Sequence, residues 1–463
     1  MNVTGCVLRV AATWAAVATC PAVAAAAFPV PTSLGAVQAF GGNTSTPQVA
    51  TNSKGDTLVA WQTGGGDQRD RVWSAYRPAG QKFGPATELS PESEAVSEPH
   101  VAIDADGNAL VAFTRAAQAG QIDTVAVAAV SSDGKPAPAI DLAIALPDKT
   151  YPGGGPPQPA FDGNGDAAVA WISRDLTSTR SDPDFERVQI AVRPRGGNFA
   201  PAQQFAVAAG GSKQGVSNVR TAGGRNIVVA WSNGARIETV VRPRGTSFSP
   251  VRSVRAADPY GPEVAQSVDG SAVVVWRDSL PSVPSRGRRT RISAATIASS
   301  GAIAGPVPVS GTDTYQDSLG VAVGPRGASV VTWTANVAKS RVARGAYARV
   351  PQRFAAPFNV SAAGRNADTP ATAFDSLGHP IIVWYRGGTF GPRRSRSSIQ
   401  ARYGSRAGIF AKAIQVSPVS RDALYAGLAV DGANRATVTW IGRDPRLGET
   451  VQAITTLTST LRG

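Results

Sequence analysis

Five arginines occupy one place in a recurring unit. Arg115, Arg174, Arg277, Arg386 and Arg443 each follow an aromatic residue by one to three positions, and three run straight into aspartate, as Arg174-Asp175, Arg277-Asp278 and Arg443-Asp444. A guanidinium presents a planar fork of donors that matches carboxylate, sulfate or phosphate. Brought to a common mouth, five of them would form an anion-binding ring. Arg286, Arg288, Arg289 and Arg291, together with Arg393, Arg394 and Arg396, would carry the positive surface outward. The competing reading pairs each Arg with its Asp neighbour and leaves the clusters as solvated loops.

Catalytic groups are sparse. The two histidines, His100 after Pro99 and His379 in Gly378-His379-Pro380, fall in different units and are expected as surface or turn residues. They make neither a zinc site nor a Ser-His-Asp arrangement, so no metal, no cofactor and no catalytic residue is assigned. Glycoside cleavage needs two carboxyl groups about 5–10 Å apart. Asp175, Asp182, Asp184, Glu186 and Asp278 are the loop acids that could supply them. Gly64-Gly65-Gly66 and Gly153-Gly154-Gly155 lack the Lys-Ser/Thr of a phosphate loop. Basic residues are not interleaved with exposed aromatics, so specific nucleic-acid binding is not expected.

The elements that must position these groups are strands. The aromatics are Trp61, Phe113, Trp171, Trp231, Trp276, Trp333, Trp384 and Trp440, at intervals of 45–60 residues. Two positions earlier stands Val59, Val111, Val169, Val229, Val274, Val331, Ile382 or Val438. The residue between is small or β-branched in every unit. Successive side chains of a strand face opposite ways, so apolar residues at both parities describe a strand buried on both sides. Six positions before the aromatic lies Gly55, Gly107, Gly165, Gly270, Gly327 or Gly378, with Asn434 in the last unit and Arg225 in the fourth. These are hairpin turns that call for positive φ, and in the fourth unit Gly224 is placed to take that role. A third strand leaves through Arg77-Pro78-Ala79-Gly80, Arg193-Pro194-Arg195-Gly196 or Arg242-Pro243-Arg244-Gly245, so each unit has four strands.

The eighth unit ends without a fourth strand, and the orphan segment 34–40 would fill it, sealing the ring. The pattern resembles the bacterial secreted β-propeller repeat proteins with four-stranded blades. It has neither the Gly-His and Trp-Asp marks of WD40 repeats nor the sialidase Asp-box, because here the aromatic lies six residues past the Gly. The resemblance implies an all-β, eight-bladed β-propeller closed by the N-terminal strand joining the last blade, the alternative being a seven-bladed ring or another β-repeat arrangement. The units fall near 47–90, 99–143, 157–206, 216–254, 261–310, 318–361, 369–417 and 425–463 with 34–40.

Among 463 residues, 1–27 read as a secretory signal peptide and 28–463 as a single domain. Cys6 and Cys20 both fall in the leader, so a mature chain would hold no thiol and no disulfide. The formal charge of +14 bears on solubility and on attraction to acidic polymers. Long loops, Ile172 to Glu186, Arg277 to Thr290, Tyr385 to Ser397 and Leu146 to Gln158, share one face of the disc, where binding usually resides. The expectation is a monomeric, secreted or envelope-exterior, noncatalytic binding or scaffold protein for an anionic glycan, wall polymer or partner protein. The alternative is a carbohydrate-active hydrolase or lyase using loop carboxylates and the arginine ring. Two acids facing each other across the mouth would favour the alternative.

Overall fold

The computed structural model describes residues 28–37, 46–64, 70–90, 95–96, 98–116, 124–143, 150–152, 155–175, 186–207, 216–283, 287–313, 316–337, 340–350, 353–364, 366–387, 396–418, 422–444 and 448–462. The segment read as a signal peptide lies outside them. Strands form eight separate antiparallel sheets, seven of them laid out in chain order from a first strand to a fourth. The first strands are Gln48–Thr51, His100–Ile103, Gln158–Phe161, Val216–Ala222, Pro259–Gln266, Gln316–Val323, Ala367–Phe374 and Asp422–Val430. Each touches the first strand of the next sheet, and the last touches Gln48–Thr51, so the sheets close a ring around an axis lined by first strands. The chain is an eight-bladed β-propeller.

The second strands carry the core. All seven residues of Thr57–Thr63 and of Ile227–Asn233 are buried, as two-sided apolar patterning requires. The eight repeat aromatics are 0–2% exposed. One apolar cluster fills each junction between neighbouring blades, from Leu58, Ala60, Val111 and Phe113 between blades 1 and 2 to Val59, Trp61, Val451 and Ala453 between blades 1 and 8. Blade-to-blade cohesion is therefore hydrophobic burial repeated eight times.

The ring closes where the chain ends meet. Thr32–Val37 pairs antiparallel with Gly448–Leu457, from Thr32 opposite Ala453 to Val37 opposite Glu449, and supplies the outermost strand of blade 8. Residues 38–40 of the expected strand lie outside the described residues.

On one face of the disc the turns between first and second strands repeat a single device. Asp104, Asp162, Asp375 and Asp431 each use Oδ1 to accept two amides of their own turn, at 2.8–3.0 Å. The turn then passes through positive φ at Gly107 (94°), Gly165 (85°), Gly378 (84°) and Asn434 (59°). In blade 4 that role falls to Gly224 (149°), one residue before Arg225. Cross-blade bonds tie these turns together: Tyr76 Oη donates to the Gly107 carbonyl at 2.9 Å and Asn52 Nδ2 to that of Asp104 at 3.0 Å.

Candidate functional site

The face opposite those turns holds the upper mouth of the ring, and its first strands are irregular in a repeated way. In blades 4 to 8 the register against the second strand slips at one level, between Ser217 and Arg220, Tyr260 and Glu263, Asp317 and Gly320, Asp368 and Ala371, and Leu424 and Gly427. Inside each slip one residue takes left-handed φ: Asn218 (54°), Gly261 (57°), Ser318 (50°), Thr369 (46°) and Tyr425 (54°). For the β-branched Thr369 and the bulky Tyr425 this conformation costs about 1–3 kcal/mol. In blades 2 and 3 the first strand is instead split, Ala95–Val96 before His100–Ile103 and Thr150–Pro152 before Gln158–Phe161. Bulges re-aim side chains, and here they do so around a common mouth.

Just below the bulges runs a ring of equivalent residues, each paired with the residue preceding the repeat aromatic: Gln48, His100, Gln158, Arg220, Glu263, Gly320, Ala371 and Gly427. Five successive blades place a polar group there and three place a small one. Gln48 Nε2 donates to Glu98 Oε1 at 3.2 Å, and Arg220 Nε to Glu263 Oε1 at 2.9 Å. Burial raises the Glu98 carboxyl above its ordinary value, with the Gln48 hydrogen bond and the Arg220 charge opposing. Burial, reinforced by Arg220, pushes His100 down to about 3. Arg220 thus acts on acids from two blades, Glu98 and Glu263, and on the imidazole of a third residue.

The expectation of a surface or turn position therefore fails for His100, which faces the inner ring, and holds for His379, a turn residue held by Asp375 at 3.0 Å. His100 should stay neutral in the folded protein. Its depressed pKa contributes stability that is complete above 6.5, the ordinary value, and is lost as pH falls from there toward 3. We expect the imidazole nitrogens of His100 to show the neutral pattern by NMR at pH 4.5, and His100→Gln to flatten the fall in urea midpoint between pH 7 and pH 4. A protonated His100 at pH 4.5 would contradict this placement.

Around the mouth stand Tyr260, Tyr385 and Tyr425. The guanidinium of Arg277 lies over the Tyr260 ring, 4.3 Å from its centroid. Tyr385 has its phenol raised by burial and by the charge of Asp422. Asp368 accepts from Thr334 Oγ1 at 2.8 Å and Ser318 Oγ at 3.1 Å and pairs with Arg341 at 2.6 Å.

The five repeat arginines do reach this end of the strands, and the structure pairs four of them with carboxylates. Arg115 bonds Asp141 (2.6 Å), Arg174 bonds Glu186 (2.9 Å), Arg277 bonds Asp317 of the next blade, and Arg443 bonds Glu449 (2.5 Å). Arg386 is half-buried and has an interaction of its own. Arg277 does not pair with Asp278, the residue that follows it in sequence. Asp278 is 1% exposed and accepts from Trp276 Nε1 at 2.8 Å, Ser293 Oγ at 2.5 Å and Arg291 at 3.1 Å. Asp182, Asp184, Arg286, Arg393 and Arg394 lie outside the described residues. Arg277 to Thr290, expected as a loop, is a hairpin extension, with Ala272–Val283 and Gly287–Ile297 paired as far as Val283 opposite Gly287.

No family model matches this chain, and neither does any curated protein. Many solved structures are similar to this chain. Among them are a protein of unknown function from Dyadobacter fermentans (15% identity, 79% of this chain and 96% of that one, TM-score 0.44) and the polysaccharide lyase Uly1 (10%, 87% and 88%, 0.47). The β-propeller domain of the Trilobed protease from Pyrococcus furiosus, described as having an open velcro topology, is a third (7%, 79% and 97%, 0.43). At such values no activity passes from them to this chain.

Proposed function

We propose that the chain is an exported, noncatalytic binding protein whose ligand is a saccharide seated at the upper mouth, between Tyr260, Tyr385 and Tyr425 at the rim and Gln48, His100, Arg220 and Glu263 below. The observation that carries this reading is the row of five bulges: an otherwise regular scaffold departs from regularity at one level, at Thr369 and Tyr425 with residues ill-suited to left-handed φ, and strain of that kind persists where function needs it. Tyrosine rings offer flat faces to the C–H side of a sugar, and the ion pairs offer donors and acceptors to its hydroxyls. Arg115, Arg174, Arg277, Arg386 and Arg443 frame the same face. Because most are already paired, they favour neutral or singly acidic sugars such as uronates over heavily charged polymers.

The test is titration calorimetry against neutral and uronate-containing oligosaccharides chosen from a glycan screen. Tyr425→Gly should keep the backbone conformation, since glycine accepts that φ, yet weaken binding at least about tenfold by removing the ring. Unchanged affinity in that variant and in Arg220→Met would remove the mouth as the site. One observation favours the hydrolase or lyase alternative: Glu98, shifted toward its protonated form, and Glu263, ion-paired, both lie within reach of the Arg220 charge. That reading requires polysaccharide cleavage that Glu98→Gln abolishes, and binding without cleavage leaves the first reading standing.

A further inference from the structure

The opposite face carries a second site. Between the turns of blades 3, 4 and 5 lies a groove of about 810 Å³, lined by Arg225, Arg244, Asn226, Gln266 and neighbouring glycines, with no carboxylate among the described residues that line it. Its origin is a shortened turn. Seven units place the ring residue thirteen positions before the aromatic, and the fourth, Arg220 to Trp231, places it eleven before. The turn of blade 4 is therefore retracted onto blade 3, where the Gly224 amide donates to the Phe161 carbonyl at 3.0 Å and any Cβ on Gly223 would strike that oxygen at 2.5 Å. The floor is rigid, since the Asn226 amide donates to Gln266 Oε1 at 3.0 Å and Gln266 Nε2 returns a bond to the Asn226 carbonyl at 3.1 Å.

Arg244 lacks the acid that neutralises its counterpart in blade 3. Arg193-Pro194-Arg195-Gly196 and Arg242-Pro243-Arg244-Gly245 are the same turn in successive blades. In the first, Arg195 Nη2 bonds Asp106 Oδ2 of the preceding blade at 2.6 Å. Asp106 lies two residues after the capping Asp104. The residue two after the capping Asp162 is Asn164, whose Nδ2 lies 3.0 Å from where a Cβ on Gly245 would stand. An amide has replaced the carboxylate, and Arg244 keeps its charge. Arg225 adds a second guanidinium at a position that is Gly or Asn in every other unit.

We propose that this groove binds a sulfate or phosphate group gripped between Arg225 and Arg244. Two exposed guanidinium groups beside a rigid amide floor, with no carboxylate among the described residues lining the groove, suit a tetrahedral oxyanion. The site is separate from the upper mouth and does not depend on it.

The test measures binding of inorganic sulfate, inorganic phosphate and a sulfated disaccharide by calorimetry at low ionic strength, with co-sedimentation on phosphatidylglycerol vesicles as a further arm. The carrier that binds best identifies whether the group belongs to a free ion, a glycan or a lipid headgroup. Arg225→Ser with Arg244→Ser should weaken that binding at least about tenfold. Asn164→Asp, which restores the missing acid beneath Arg244, should weaken it without removing any arginine. Arg195→Ser, whose charge is already paired, should leave it unchanged. Equal affinity in the double variant, or absence of saturable binding to all four probes, overturns the proposal.

Discussion

Replacing Asp162 with alanine should lower the free energy of unfolding by about 3–5 kcal/mol, because it strips a buried arginine of its main counter-charge. The Asp162 side chain has no exposed surface. Its Oδ1 accepts the amides of Asn164 and Asp166, and its Oδ2 accepts Arg242 Nη1 at 2.9 Å from the next blade. Arg242, 9% exposed, would retain Asp166 at 2.8 Å, so the variant leaves one buried charge half-compensated and two turn amides unsatisfied. Arg195→Ser provides the contrast. Its pair with Asp106 is solvent-exposed, 64% and 45%, and its loss should cost under about 1 kcal/mol. Urea midpoints at a common slope measure both, and equal shifts in the two variants would mean that the buried pair is not a structural link between blades 3 and 4.

The parts of this molecule legible in its sequence are those set by local chemistry. The Val-x-aromatic strands are read from parity of burial, which needs no knowledge of partners. The glycine turns are read from a backbone demand, and positive φ at Gly55, Gly107, Gly165, Gly270, Gly327, Gly378 and Asn434 meets it in seven of the eight units. Even the exception in the fourth unit, Gly224 in place of Arg225, follows from that demand. The eight-bladed closure follows from counting strands at the two ends of the chain.

The site was less legible because its contacts are made between units. Gln48 and Glu98 are 50 positions apart, and Arg220 and Glu263 are 43 apart. No local rule connects them. Attention to the second strand also hid the first. In the ring, Gln48, His100, Gln158 and Glu263 stand thirteen positions before the aromatics and Arg220 eleven before, and that offset could have exposed it. The Arg–Asp dipeptides misdirect for a plain reason: neighbours in a strand point to opposite faces, so Arg174 finds Glu186 and Asp278 finds Arg291, each directly across the ladder.

Deleting residues 28–37 should open the ring and cost about 3–6 kcal/mol from two side chains alone, since burying a Leu or Val is worth about 1.5–3 kcal/mol. Leu34 (6% exposed) and Val37 (1%) pack with Val59, Trp61 and Ala75 of blade 1 and with Val451 and Ala453 of blade 8. Gly35 lies so close to the Trp61 indole that a Cβ would meet its Cζ2 at 2.8 Å. The short strand is thus both the fourth strand of blade 8 and part of the wall of blade 1. Its removal also bares the edge of Gly448–Leu457, which should then pair with other copies and raise the apparent mass in solution. The converse variant acts on the same contact with the opposite sign. Ala36→Cys with Thr450→Cys joins Cα partners in this ladder, in a chain whose only other cysteines are Cys6 and Cys20. Oxidation closes a loop of more than 100 residues and should stabilise by roughly 5 kcal/mol, seen as a midpoint that falls on addition of reductant. A deletion that leaves the midpoint and the mass unchanged, beside a cysteine pair that never oxidises, would place the seal of the ring somewhere else. A stabilising disulfide and a destabilising deletion together would show that eight nearest-neighbour interfaces unfold as one because the last of them joins the first.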